Sequence, residues 1–90
     1  MHTAKPVPLG ILRVLALDEE PGVRSTVASK RKLDDALFGQ LMADEDGGVR
    51  LAVALNESAP LTVLEVLAAD EWGRMAEVAK SKLQQRMSGG

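Results

Sequence analysis

The sequence has no cysteine, one histidine and two aromatic residues among its 90 residues. Without cysteine there is no disulfide frame, no thiol nucleophile and no cysteine-ligated zinc or iron–sulfur centre. His2 is the single histidine, which is too few for a histidine-based metal site and leaves little scope for histidine acid–base chemistry. Phe38 and Trp72 are too few for a platform on which nucleic-acid bases stack. We therefore predict no catalytic residue, no cofactor and no metal site.

Long apolar runs are also missing. No uninterrupted apolar segment approaches the roughly 18–20 residues that a membrane span needs, and residues 1–6 lack the apolar stretch of a secretory signal. We expect a cytoplasmic protein without a membrane partner. With 46% apolar residues and a net charge of -2, the chain has the composition of one small soluble domain.

What the sequence does have is a repeat of about 26 residues. When the chain is shifted by this length, positions of the same chemical character align three times. The aligned columns are Pro8, Asp34 and Pro60; Ile11, Leu37 and Val63; Leu12, Phe38 and Leu64; Leu15, Leu41 and Leu67; Ala16, Met42 and Ala68; and Asp18, Asp44 and Asp70.

Each unit is expected to contain two short helices. Its apolar positions are spaced i, i+3, i+4, i+7 and i+8, which is the stripe of an amphipathic helix. Proline or aspartate at the start suits a first helical turn, so we predict first helices over 8–17, 34–43 and 60–69. Acidic or glycine-bearing turns follow and open the second helices, the last of which runs to about Met87.

The third unit leaves two registers open. Met75 and Ala79 match the preceding unit at a shift of 26 residues. Val78 and Ala79 match it at a shift of 25, as if one residue were missing from the turn.

Three helix pairs predict an all-α fold, a short α-solenoid in which each pair covers the apolar stripe of the next. The expected single domain spans residues 8–87, with units at 8–33, 34–59 and 60–87. Residues 1–7 and 88–90 are expected to be flexible. The competing interpretation is a six-helix bundle whose periodicity is accidental.

One turn of the repeat contains the residues Asp44, Val49, Arg50, Val53, Ala54, Asn56 and Pro60. In these residues the repeat resembles the variant leucine-rich repeat family of bacteria, which is related to HEAT-like repeats. The resemblance covers about residues 8–80, is weaker in the first unit, and fades after Asp70, where Ala76 stands in the arginine column. It implies a right-handed superhelix, some of whose helices are 3₁₀, and a module that binds other macromolecules. A founding member holds an iron–sulfur centre on N-terminal cysteines, which this chain lacks.

The most regular polar residues are three aspartates at the turns and two arginines six residues after the first two of them. We expect these groups to pair within or between units, as a structural ladder, because no partner for acid–base catalysis is indicated. The ladder residues are Asp18, Asp44, Asp70, Arg24 and Arg50.

A candidate partner-binding face is marked by apolar residues where the pattern expects polar ones. Leu51 and Leu55 lie off the core stripe of their helix, and Trp72 is of a type enriched at binding hot spots. Arg31 and Arg50 would form a polar rim. The alternative, that all three apolar side chains tuck under neighbouring helices, stays open.

The first unit offers a second candidate surface. Leu9, Leu12 and Leu15 are expected to have no preceding unit to cover them, and a homodimer through this end would bury them.

These features favour a non-enzymatic protein–protein interaction module, an adaptor or a regulatory subunit. One alternative is a nucleic-acid-binding module that uses Lys30-Arg31-Lys32 with Arg24, disfavoured by the charge of residues 34–90, where ten acids outnumber five bases. Another is a small inhibitor or antitoxin of a cognate protein. Sequence does not separate that alternative from an adaptor.

Overall fold

The computed structural model describes residues 7–88, and within this range it contains six α-helices and no strand, so the predicted all-α fold is confirmed. Each first helix lies inside its predicted span. The expectation of some 3₁₀ helices is wrong for these residues, because every helix is α. The helices are α1 (Leu9–Leu15), α2 (Pro21–Ala28), α3 (Asp35–Met42), α4 (Gly47–Leu55), α5 (Leu61–Leu67) and α6 (Gly73–Ser88).

Local capping chemistry explains where several helices begin. The Asp34 carboxylate accepts the N–H of Leu37, and the Asp46 carboxylate accepts those of Gly48 and Val49. These contacts satisfy amide groups that have no partner inside the helix. Pro21 occupies the first turn of α2, where its missing N–H costs nothing.

The second helices settle the register of the third unit. α2, α4 and α6 begin at Pro21, Gly47 and Gly73, which are 26 residues apart at each step. Met75 and Ala79 are fully buried, whereas Val78 is only half-buried. The interpretation that one residue is missing from the third turn is therefore wrong.

The helix pairs stack in chain order. The two helices of each pair contact each other, α2 packs on α4, α4 packs on α6, and α3 packs on α5. Because the apolar stripes face these contacts, they merge into one core that runs through all three units. The largest fully buried side chains are Leu12, Leu37, Leu41, Leu64, Leu67, Met75, Val27, Val49 and Val53.

α6 differs from the other second helices by its length. It has 16 residues, against 8 in α2 and 9 in α4. α4 ends before Asn56, whereas α6 continues through the equivalent position, Lys82, to Ser88. No helix within residues 7–88 is long and apolar enough to cross a membrane.

The predicted flexible ends lie largely outside the described residues, which exclude 1–6 and 89–90. Ser88, assigned to the flexible tail by the sequence prediction, is the last residue of α6.

Candidate functional site: the arginine–aspartate ladder and the two ends of the stack

Arg24 joins the first unit to the second. Its Nε lies 2.8 Å from Oδ2 of Asp44 and its Nη2 lies 3.1 Å from Oδ1, a two-point contact. The third guanidinium nitrogen, Nη1, donates to the backbone carbonyls of Asp18 at 2.7 Å and Glu19 at 3.2 Å. Arg24 thus holds the turn of its own unit and the carboxylate of the next.

Arg50 repeats this arrangement one unit later. Nε and Nη2 donate to Asp70 at 2.8 and 3.3 Å, and Nη1 donates to the carbonyls of Asp44 and Glu45. Both ion pairs are largely shielded from water, with side chains 10–17% exposed. We call Asp18, Arg24, Asp44, Arg50 and Asp70 the ladder. The ion pairs of the ladder join neighbouring units, whereas within its own unit each arginine donates to backbone carbonyl oxygens.

The ladder carboxylates are held in their charged form. Burial opposes ionisation of Asp44 and Asp70, but hydrogen bonds from the arginine and from the amide two residues on outweigh it. The pKa of each carboxyl is consequently lowered from its ordinary value. A hydrogen bond to Asp44 likewise raises the pKa of Arg24. Such groups are suited to ion pairing rather than to proton transfer near neutral pH.

Asp18 has the same local geometry as the other two ladder aspartates. Its Oδ1 accepts the N–H of Glu20 at 2.8 Å, as Asp44 and Asp70 accept those of Asp46 and Trp72. Within residues 7–88, however, no arginine contacts the Asp18 carboxylate.

The five candidate binding residues are spread along α4 rather than gathered at one point. Leu55, half exposed, and Arg31 line a shallow groove of about 380 Å³. Leu51 is half-buried and packs against the core. Trp72 lies over Gly47 at the other end of α4, about 12 Å from Leu55 along the helix axis at 1.5 Å per residue.

Of the basic residues in the nucleic-acid alternative, Arg24 already bonds other groups of the chain. Arg24 and Arg50 each bond a carboxylate and two carbonyls, so their guanidinium groups are turned to the ladder. Arg31 and Lys32 are exposed between α2 and α3, and the Lys30 carbonyl accepts the Asn56 amide at 2.7 Å.

The first unit exposes apolar side chains that the other units bury. Ile11 is 52% exposed, while its equivalents Leu37 and Val63 are 2% and 6% exposed. Leu15 is 36% exposed, while Leu41 and Leu67 are buried.

Val23 follows the same pattern, half-buried where Val49 and Met75 are fully buried. We call the surface formed by Ile11, Leu15 and Val23 the open end. Leu9 is exposed as expected, but Leu12, which was also expected to be uncovered, is 2% exposed because it faces the core rather than this end.

The opposite end of the stack is polar. Ala28 and Ala54 are fully buried, whereas Lys80 in the same column is exposed. We call this side of α6 the closed end.

Arg86, which sequence reasoning missed, lies near the end of α6. It donates to the carbonyls of Asn56, Glu57 and Ala59 and so ties the helix to the loop after α4. The signal that could have found it is the loss of helix-stopping residues in the third unit.

Comparison with known proteins adds no assignment. No protein-family model matches the chain, and no significant match is found among curated proteins or solved structures. Among residues 7–88, no group of three or more aspartate, glutamate or histidine side chains is placed to hold a metal ion.

Proposed function

We propose that this protein is a non-enzymatic protein-interaction module, and that it binds its partner through the open end. The observation that carries the proposal is the exposure of Ile11 and Leu15 in positions that both following units bury. Apolar surface of this kind is stabilised when another protein covers it. Leu9, Val14 and Leu17 extend the apolar area on and beside α1.

The neighbouring exposed residues help to delimit this surface. The positions equivalent to Leu9, Val14 and Leu17 are exposed in every unit, so these residues belong to the outside of the stack. Within residues 8–88, only Ile11, Leu15 and Val23 are exposed or half-buried in the first unit and have equivalents that are buried in both later units. The open end therefore consists of positions that the stacking of a preceding unit would cover, which distinguishes it from apolar residues on the outside of the stack.

The resemblance to the variant leucine-rich repeat family supports the same proposal. The 26-residue register and the repeated ladder contacts are what a stacked repeat of that kind requires. Membership would imply a bacterial module that binds other macromolecules, and we propose that this module acts in the cytoplasm as an adaptor or a regulatory subunit.

Three forms of the full chain test the proposal: the wild type, Leu15→Glu, and Val66→Glu as a matched control. Val66 is exposed on α5, so both substitutions place an acid at an exposed apolar position. Each form is immobilised and exposed to an extract of its native host. We expect a protein that the wild type and Val66→Glu retain and Leu15→Glu loses. The retained protein is then purified and titrated. Equal retention by all three forms would show that the open end is not the binding surface.

A further inference from the structure

We propose that the open end binds a helical hairpin of the same repeat type, carried by a different protein, which presents an arginine to Asp18. This inference rests on the proposed function and names the class of partner. The molecule itself provides the template for the contact. Twice within the stack, a unit that offers an arginine and a buried alanine packs against a unit that offers an aspartate.

Asp18 is prepared for such a contact. Its Oδ1 is oriented by the amide of Glu20, as in the two aspartates that do receive a guanidinium. Glu19 and Glu20 follow directly and are exposed, so the turn carries three carboxylates beside the apolar surface. Charge complementarity thus favours a basic group on the partner, next to small apolar residues that can approach Ile11 and Leu15.

A second copy of this chain does not supply that chemistry in a head-to-tail arrangement. At its closed end the arginine column holds Ala76 and the alanine column holds Lys80. Lys80 is longer than the buried Ala28 and Ala54 and carries a charge, so packing it against Ile11 and Leu15 would cost free energy.

A symmetric dimer does not supply an arginine for Asp18 either. The open end of one copy would meet the open end of the other, where Arg13 and Arg24 already bond Asp34 and Asp44.

In the first experiment, a second chain supplies the arginine and the alanine that the open end is proposed to bind. A donor chain carries Ala76→Arg and Lys80→Ala, which restore the arginine and alanine columns at its closed end, and Leu15→Glu, which prevents it from accepting another donor. Circular dichroism and thermal unfolding first establish that the donor is folded. Its binding to wild-type acceptor is then measured by sedimentation velocity and calorimetry.

We expect the donor and the wild type to form a one-to-one complex. Asp18→Asn in the acceptor should weaken it at least ten-fold, since asparagine keeps the oxygen that accepts from Glu20 but loses the charge. Leu15→Glu in the acceptor should abolish it. A complex that is indifferent to Asp18→Asn overturns the inference, as does wild type that dimerises by itself through Leu15.

The second experiment places the same chemistry in cis, in case the donor does not fold. A copy of residues 34–59 is inserted directly before Pro8, so that the junction reproduces that between Ala59 and Pro60. We expect a higher melting temperature, and an unfolding equilibrium that Asp18→Asn shifts at least ten-fold in the extended chain but less than three-fold in the wild type. Equal shifts in the two chains overturn the inference.

The outcomes separate the inference from the proposed function. A host protein lost with Leu15→Glu but unaffected by Asp18→Asn leaves the proposed function standing and removes the arginine-bearing hairpin as the partner. A host protein lost with neither substitution removes both.

Discussion

The two ends of the stack are built from the same repeat but present opposite surfaces. The open end keeps the apolar residues that inner units bury, and the closed end replaces the buried alanine with Lys80 and extends α6 by about two turns. Repeat proteins require polar caps because an uncovered unit exposes part of the core. The two ends therefore differ in how much apolar surface they leave uncovered, and the proposed function assigns the partner to the open end.

The largest expected effect compares the same column inside the stack and at the open end. Leu41 is fully buried, so Leu41→Ala should lower the free energy of unfolding by roughly 3 kcal/mol. Leu15→Ala, at the equivalent but partly exposed position, should cost about 1 kcal/mol or less. Urea denaturation of both variants measures the difference. Equal losses would mean that the open end is covered in solution.

We expect substitutions in the ladder to show the same difference between the inside of the stack and the open end. Arg50→Ala removes four hydrogen bonds and strands the Asp70 carboxylate, so we expect a loss of about 2–3 kcal/mol. Arg50→Lys keeps the charge but not the planar fork, and should recover only part of this loss. Asp18→Asn in the wild type should be nearly neutral. If Asp18→Asn is as costly as Arg50→Ala, the Asp18 carboxylate already has a partner.

Acid should weaken the inner joints of the stack. The pKa of Asp44 and of Asp70 is lower in the folded chain than the ordinary 3.8, so in acid the unfolded chain binds more protons. Their contribution to stability is complete above about pH 5 and is lost as the pH falls through about 4 towards the folded pKa values. Unfolding measured between pH 7 and pH 2.5 should follow this course.

Asp44→Asn and Asp70→Asn supply the control for the acid experiment. Each variant should be less stable than the wild type at neutral pH, because the arginine loses its charged partner. Each should also lose less stability on acidification. An unchanged acid dependence would place the responsible carboxylates elsewhere, for example at Asp34, whose pKa is lowered by the Leu37 amide and by Arg13.

The last turns of α6 should depend on Arg86. Arg86→Ala leaves the carbonyls of Asn56, Glu57 and Ala59 without this donor, and we expect a loss of about 1–2 kcal/mol. Lys80→Ala, on the exposed side of the same helix, is the matched control and should change stability by about 0.5 kcal/mol or less. Denaturant melts of the two variants are sufficient to compare them. Equal effects would contradict the role of Arg86 in holding α6 to the loop after α4.

Much of this arrangement could be predicted from the sequence because it repeats. The period located all six helices, and the column of aspartates identified the ladder residues. The spacing alone could not tell that Arg24 bonds Asp44 rather than the carboxylate of Asp18, because both are available to a stacked hairpin and only packing places one within reach. The burial of residues at the ends of the stack is even less predictable from the sequence. Leu12 and Leu15 are both leucines on the apolar stripe of α1, and only the packing of that helix places Leu12 in the core and Leu15 at the open end.

The smallest predicted effect concerns the turn next to the ladder. A Cβ on Gly47 would lie 3.0 Å from the Trp72 ring, closer than carbon atoms normally approach. Gly47→Ala would gain helix propensity worth up to about 1 kcal/mol, while Trp72, 39% exposed, can turn outward to relieve the contact. These terms oppose each other, so stability should change by about 0.5 kcal/mol or less while tryptophan emission shifts to longer wavelength. Gly22→Ala, which meets nothing within 4 Å, is the control that should leave the emission unchanged. An unshifted spectrum in Gly47→Ala would mean that Trp72 does not rest on this turn, and that it stands free as a binding residue after all.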